Sequence, residues 1–195
     1  MIILDSPVRL TSLRHFLTQE ECEYLVRLID ADLRPSEITT AAVEPDRYFR
    51  TSMSGDLSVS DAVVRHLRER VTAITGTQEE DLEGSQGQVY EVGQEFKPHN
   101  DWFASDDLHK FGSQRAWTFM VYLNELEEGG ETDFPRLGLR IRPETGMAVV
   151  WYNLLESGEG DERVLHAGRP VKKGRKVIVT QWVRTQQQEV SHAHI

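Results

Sequence analysis

The sequence predicts an α+β, mainly β protein: a β-sandwich or jelly roll with N-terminal helices packed on one sheet. Three observations lead there. Apolar residues recur at helical spacing through the N-terminal third. After Gly84 the texture changes to short apolar or alternating segments broken by Gly, Pro and acidic clusters. Helical segments come first and strand segments follow, an order that sets helices on one face of a sheet.

The elements follow in order. Leu17 and Thr18, followed by Gln19, Glu20 and Glu21, resemble a capped helix start. That helix carries Cys22, Leu25, Val26, Leu28 and Ile29 inward. A second helix is expected from about Ser60 to Ile74, with Val63, Val64, Leu67 and Val71 on its apolar face. Strands are expected in GQVYEV, EFKPHND, WTFMVYLNEL, ETDFP, LGLRIRP, MAVVWYN, RVLHAGRPV and KVIVTQWVR. So many short strands in about a hundred residues suit a sandwich or jelly roll. The paired glycines of GGETDF read as a turn closing the hairpin after Tyr122. FASDDLHKFGSQR, between Asp101 and the next strand, reads as polar and irregular, and 102–114 is either a surface loop or a lid. DRYFRTS is expected to form a strand and loop near a pocket mouth. The division is a single domain over 1–195, with helical support over 1–80, a β-core over about 84–184 and a frayed tail over 185–195.

Bulk properties narrow the function. The chain has 195 residues, enough for one sizeable core, with 38% hydrophobic and 28% charged residues. A formal net charge of −10 argues against nucleic acid as a partner. VKKGRK is a candidate local basic patch. One cysteine, Cys22, allows no intramolecular disulfide and points to a reducing compartment. On its helical face Cys22 reads as a small buried residue rather than a nucleophile. MIILDSPVRL lacks the pattern of a secretory signal, and no apolar stretch is long enough to span a membrane. A cytoplasmic protein without a membrane partner is expected; the oligomeric state is not legible.

The chemistry starts at KPHNDWF. In a strand, residues two apart share a face, so His99 and Asp101 would project together. Read alone, the pair is better taken as a polar turn. Joined by one more imidazole, it becomes a facial triad with open positions, the pattern of non-haem Fe(II) oxygenases. Of the other histidines, His15 precedes the first helix, His66 lies in the second and His109 in the polar loop. His192 and His194 lie in the tail, and His166 starts a late strand in VLHAGRPV, where by itself it reads as a polar edge residue. In KVIVTQWVR, alternation puts Lys176, Ile178, Thr180 and Trp182 on one face. A lysine among Ile and Trp suits an interior cavity that holds an anion; the alternative is an edge lysine reaching out to water. Thr118, Met120 and Tyr122 likewise share a face, and the Thr118 and Tyr122 hydroxyls could reach the same anion.

Taken together, RTS (50–52), YEVGQEFKPHND (90–101), QRAWTFMVYLN (114–124), EEGGETDFP (127–135) and HAGRPVKKGRKVIVTQW (166–182) resemble the prolyl 4-hydroxylase branch of the Fe(II)- and 2-oxoglutarate-dependent dioxygenases. The resemblance covers roughly residues 48–184, and the short, disulfide-free form looks like bacterial members. It implies a double-stranded β-helix, with His99, Asp101 and His166 as iron ligands and Lys176 on the distal carboxylate of 2-oxoglutarate. It implies cosubstrate contacts at Tyr90, Thr118 and Tyr122, a pocket lined near the metal by Thr180 and Trp182, and a peptide-associated role for Arg115. The implied reaction consumes 2-oxoglutarate and O2, releases succinate and CO2, and hydroxylates proline in a peptide or protein, with ascorbate as reductant. Within the same chemistry the alternative is hydroxylation of a free amino acid or other small molecule. Two further alternatives are a cupin-like hydrolase or isomerase and a non-catalytic sensor that binds metal and 2-oxoglutarate. The chain departs from algal and animal-type relatives at Phe96, where they tend to carry tyrosine, and from collagen-type enzymes at Arg169, where they often carry cysteine.

Overall fold

The structure, a computed structural model, describes residues 8–36 and 49–185. Among them are three α-helices: α1 (Gln19–Asp30), α2 (Ala62–Thr75) and α3 (Ser105–Phe111). Strands β1 (Leu10–Leu13), β2 (Arg34–Pro35) and β3 (Met53–Leu57) come before β4 (Ser85–Tyr90) and β5 (Phe96–His99). Then follow β6 (Arg115–Tyr122), β7 (Glu128–Gly129), β8 (Thr132–Phe134), β9 (Leu139–Ile141) and β10 (Ala148–Tyr152). The last are β11 (His166–Gly168), β12 (Val171–Lys173) and β13 (Lys176–Arg184).

The strands make a jelly roll. A seven-stranded sheet runs β1-β10-β6-β13-β4-β3-β2, a four-stranded sheet runs β5-β11-β8-β9, and β12 pairs with β7. The pairings are antiparallel, so alternation assigns each strand one face to each side. On the outer face of the major sheet, Val89, Phe119, Val121, Val177, Val179 and Val183 pack against Leu25 and Ile29 of α1 and Val64, Leu67 and Val71 of α2. On the inner face, Met120, Tyr122, Val149, Trp151 and Ile178 pack against Phe134 of the minor sheet. The Phe134 and Trp151 rings meet edge-to-face at 5.4 Å between centroids.

Local chemistry explains the helices. Thr18 Oγ1 accepts from the Glu21 amide at 3.2 Å while the Glu21 carboxylate accepts from the Thr18 amide at 2.8 Å, a reciprocal capping box. Asp61 caps α2 through the amides of Val63 and Val64, and Gly76 ends it at φ 72°. The helix α1 sits so close to the sheet that a Cβ at Gly87 would lie 2.3 Å from Ile29 Cγ1.

Several expectations change. The N-terminal third is not only helical, since β1, β2 and β3 join the major sheet. Their sequences lack a long alternating run, and pairing with β10 and β4 is what orders them. The stretch 102–114 is not irregular but contains α3, ended by Gly112 at φ 75°. The glycines before TDF do not close a hairpin on β6. Gly129 and Gly130, at φ 81° and 69°, turn the chain away from the major sheet, and β8 pairs in the minor one. RVLHAGRPV is two strands, with β11 in the minor sheet and β12 paired to β7. VKKGRK is not an open basic patch: Lys172 pairs with Glu128, Lys173 with Glu127, Arg175 with Asp30 and Glu91, and Lys176 is buried. His192, His194 and residues 186–195 of the expected tail lie outside the described residues, as do residues 46–48 of DRYFRTS.

Candidate active site

The site forms where the minor sheet closes over the inner face of β4, β6 and β13. Antiparallel pairing of β5 with β11 sets His166 directly opposite His99. Asp101, just beyond β5, completes a cluster in which one ligand atom from each residue lies within 4.8 Å of the others. It is the one such group of three among the described residues. The two imidazoles lie 4.3 Å apart between centroids, and His166 Nε2 is 3.8 Å from Asp101 Oδ2.

Both histidines are oriented the same way. His99 Nδ1 lies 2.8 Å from the Lys97 carbonyl, and His166 Nδ1 lies 3.0 Å from the Val164 carbonyl. A carbonyl can only accept, so each Nδ1 donates a proton there and Nε2 is the ring nitrogen left for a ligand. Phe96 stacks on His99 at 3.5 Å and 17°, and Trp151 meets His166 edge-on at 4.7 Å. Desolvation, followed by the neighbouring His166, pulls the His99 imidazole down to about 3, so it is neutral at physiological pH. Burial pushes the Asp101 carboxyl up, but His166, His99, Arg115 and the Thr118 hydroxyl outweigh it and hold the group ionised. Two imidazole nitrogens and one carboxylate on one side of a cavity fit a divalent iron and leave other positions open.

The same cavity fits a dicarboxylate. Lys176 lines it, 2% exposed, with its Nζ 5.2 Å from the Tyr90 ring centre and 5.5 Å from that of Tyr122. No hydrogen bond or ion pair holds its Nζ among the described residues. Burial pushes the ammonium from 10.5 down to about 7, only partly opposed by Glu131. A buried cation without a counter-ion is costly, and an anionic guest removes that cost.

The other expected site residues divide. Tyr90, Thr118, Thr180 and Trp182 line the cavity with the triad and Lys176. Register explains this: β13 and β6 pair Trp182 with Thr118, Thr180 with Met120 and Ile178 with Tyr122, and directly opposite residues share a face. Thr118 Oγ1 donates to Asp101 Oδ2 at 2.7 Å. Tyr90 donates to Gln88 Oε1 at 3.0 Å, and Gln88 Nε2 donates to Thr180 at 3.1 Å. Tyr122 stands behind the wall, its hydroxyl donating to Thr132 at 2.6 Å. Arg115 is also set back. It makes two bonds to the Glu83 carboxylate, at 2.7 and 2.8 Å, and its guanidinium lies 3.9 Å from the Trp182 ring centre. The indole nitrogen of Trp182 is buried without a hydrogen-bond partner among the described residues.

Residue patterns alone left several lining residues without a role. Gln88 shares a face with Tyr90 on β4, so alternation could have found it. Arg50 lies in the RTS match, but its contacts come from tertiary structure: it bridges to Phe96 outside any long strand, lies over the Phe96 ring at 4.8 Å, and donates to Ser52, Ser54 and Gln86. Thr132, Trp151 and Gly168 also line the cavity.

A jelly roll with a two-histidine, one-carboxylate cluster and a buried lysine defines an iron- and 2-oxoglutarate-dependent dioxygenase. Residues 85–184 match the family model described as the 2OG-Fe(II) oxygenase superfamily. The chain is similar to the probable prolyl 4-hydroxylase 10 of Arabidopsis thaliana, 31% identical over 96% of this chain and 73% of that protein. It is also similar to the prolyl 4-hydroxylase subunit alpha-1 of Mus musculus, 34% identical over 95% of this chain and 36% of that one. Among solved structures, the viral collagen prolyl hydroxylase of Paramecium Bursaria Chlorella virus-1 in complex with 2OG superposes with a TM-score of 0.74. The two are 28% identical over 91% of this chain and 96% of the viral one. A Pseudomonas putida prolyl-4-hydroxylase, 21% identical over 90% of this chain and 92% of that one, shares the fold with a TM-score of 0.64. The chain belongs to the prolyl 4-hydroxylase family of 2-oxoglutarate- and Fe(II)-dependent oxygenases. It is an enzyme that uses Fe(II), 2-oxoglutarate and O2.

Proposed function

We propose that this chain hydroxylates proline in a peptide or protein, coupled to conversion of 2-oxoglutarate to succinate and CO2. The observation that carries this reading is Lys176, a cation buried in the same cavity as His99, Asp101 and His166. In this reading the three residues hold iron through two Nε2 atoms and a carboxylate. The iron, with 2-oxoglutarate and O2, supplies oxidising power for an unactivated C–H bond. Lys176 pairs the distal carboxylate of 2-oxoglutarate. The apolar walls, Phe96, Met120, Trp151 and Ile178, keep water away from the reacting atoms. Trp182 lines the same cavity wall near the triad. Ascorbate serves as reductant. Support for a proline substrate comes from the curated plant and animal relatives and the viral enzyme.

A small-molecule substrate is the second reading, and one observation favours it. Arg115, which the family resemblance links to a peptide, is committed to Glu83 behind Trp182. One experiment separates the two readings. The protein is incubated with Fe(II), ascorbate, 2-oxoglutarate and O2, with proline-containing peptides in one arm and free proline in another. Succinate is followed together with the mass of each substrate. A peptide that gains one oxygen in step with succinate supports the first reading. Oxidation of free proline alone supports the second, and absence of succinate above a metal-free control refutes both.

A further inference from the structure

We infer that Asn153 is a positioning residue for the metal centre, acting through Thr118 on Asp101. This rests on the reading of His99, Asp101 and His166 as metal ligands. Asn153 follows β10, is fully buried, and lies outside the cavity wall. Its Nδ2 donates to Thr118 Oγ1 at 2.9 Å, and Thr118 Oγ1 donates to Asp101 Oδ2 at 2.7 Å.

The direction of this chain follows from proton counting. The ionised Asp101 carboxylate only accepts, so the single hydroxyl proton of Thr118 must point to it. The Thr118 oxygen is then left as an acceptor, and Asn153 must present its NH2. Its Oδ1, buried without a partner among the described residues, is the atom left over by that choice. An unsatisfied buried acceptor is costly, and the arrangement that creates it is the one that serves Asp101. Asn153 is itself held from both sides. Its backbone N–H donates to the Ala116 carbonyl at 2.8 Å, and its backbone carbonyl accepts from the Asp161 N–H at 2.8 Å. Without the Asn153 donor, the Thr118 hydroxyl can turn away, and the rotation of the Asp101 carboxylate is no longer set. Residues that orient a metal-ligating carboxylate typically change metal affinity by ~10–100-fold when removed.

The test measures Mn(II) binding to the metal-free protein by calorimetry, independent of turnover. Asn153→Leu keeps the volume and removes the donor, and it should weaken Mn(II) binding by about ten-fold. Repeating it in a Thr118→Val background should add almost nothing, because the relay is already cut. A merely structural Asn153 would lower the melting temperature of the metal-free protein and leave Mn(II) affinity unchanged. Wild-type affinity in Asn153→Leu, or full additivity with Thr118→Val, overturns the inference. Should Asn153→Leu not fold, Asn153→Ala is read through the same cycle. If the wild-type protein binds no Mn(II), or binds it equally after His166→Ala, the metal-site reading fails and the inference with it. If the wild type binds and His166→Ala does not, a silent Asn153 sinks only the inference.

Discussion

At the scale of single residues, the site combines groups whose isolated chemistry is ordinary and whose surroundings are not. Lys176 is the clearest case. Its folded value near 7 lies below the unfolded 10.5, so between those values the unfolded chain binds more protons than the folded one. Its contribution to stability is therefore fully present above about pH 10.5 and is lost as pH falls through 7. Lys176→Met removes that dependence. The metal-free variant should melt above wild type at pH 7, with the gap shrinking toward pH 10; a gap independent of pH would show that Lys176 is not desolvated. The same variant should raise the 2-oxoglutarate concentration needed for half-maximal succinate formation far more than it changes the peptide requirement. His99→Ala, Asp101→Ala and His166→Ala should each abolish succinate formation, and full activity in the His166 variant would remove it from the ligand set. Cys22 sits at the other extreme. It is fully buried and burial pushes its thiol up to about 11, so it stays a packing residue.

At the scale of elements, two contacts decide how the site is framed. The first is α1 on the major sheet at Gly87. This glycine needs no unusual backbone angle; what it provides is the absence of a side chain beneath Ile29. Gly87→Val should therefore cost about 1–3 kcal/mol by overpacking, read as a lower denaturant midpoint. The second is α3, which follows Asp101. Arg184 lies over Phe103 at 4.8 Å, donates to the Phe111 carbonyl and pairs with Glu83 at 3.0 Å. Gln114 donates to the Phe103 carbonyl at 2.8 Å and accepts from its amide at 2.6 Å. These bonds tie α3 to the end of β13. Arg184→Ala should loosen α3 selectively. Hydrogen exchange should rise over 105–112 and stay unchanged in β6 and β13; a uniform rise would indicate global destabilisation instead.

At the scale of the whole molecule, the two apolar layers do different work. The layer between helices and sheet supports the scaffold, and the layer between the two sheets surrounds the site. The first layer is apolar apart from buried Gln181, whose carbonyl oxygen accepts from Arg68 of α2 and from Ser85, while the second surrounds the polar groups of the site. Charge follows the same logic. The net charge is −10, and Lys172, Lys173 and Arg175, just before the C-terminal strand, are matched by Asp30, Glu91, Glu127 and Glu128. The protein should show no saturable binding to duplex DNA at physiological salt, measured by fluorescence anisotropy.

Much of this was legible in the sequence because strand alternation is a local property. That Lys176, Ile178, Thr180 and Trp182 share one face of their strand, and Thr118, Met120 and Tyr122 one face of theirs, follows from period two alone. Helix starts at Thr18 and near Ser60 follow from side chains bonding their own neighbours. Register is different, because it pairs residues far apart in the chain. Only tertiary structure set His166 against His99, drew Arg50 to Phe96, and turned Arg115 toward Glu83 and away from the cavity. Only tertiary structure aligned Asn153, Thr118 and Asp101, three polar residues from separate segments. The sequence by itself determined the class of fold and the residue types available for chemistry, since both rest on short-range spacing. The tertiary structure decided which of those residues meet and which atom of each is offered, since long-range packing selects register and buried hydrogen bonds select orientation.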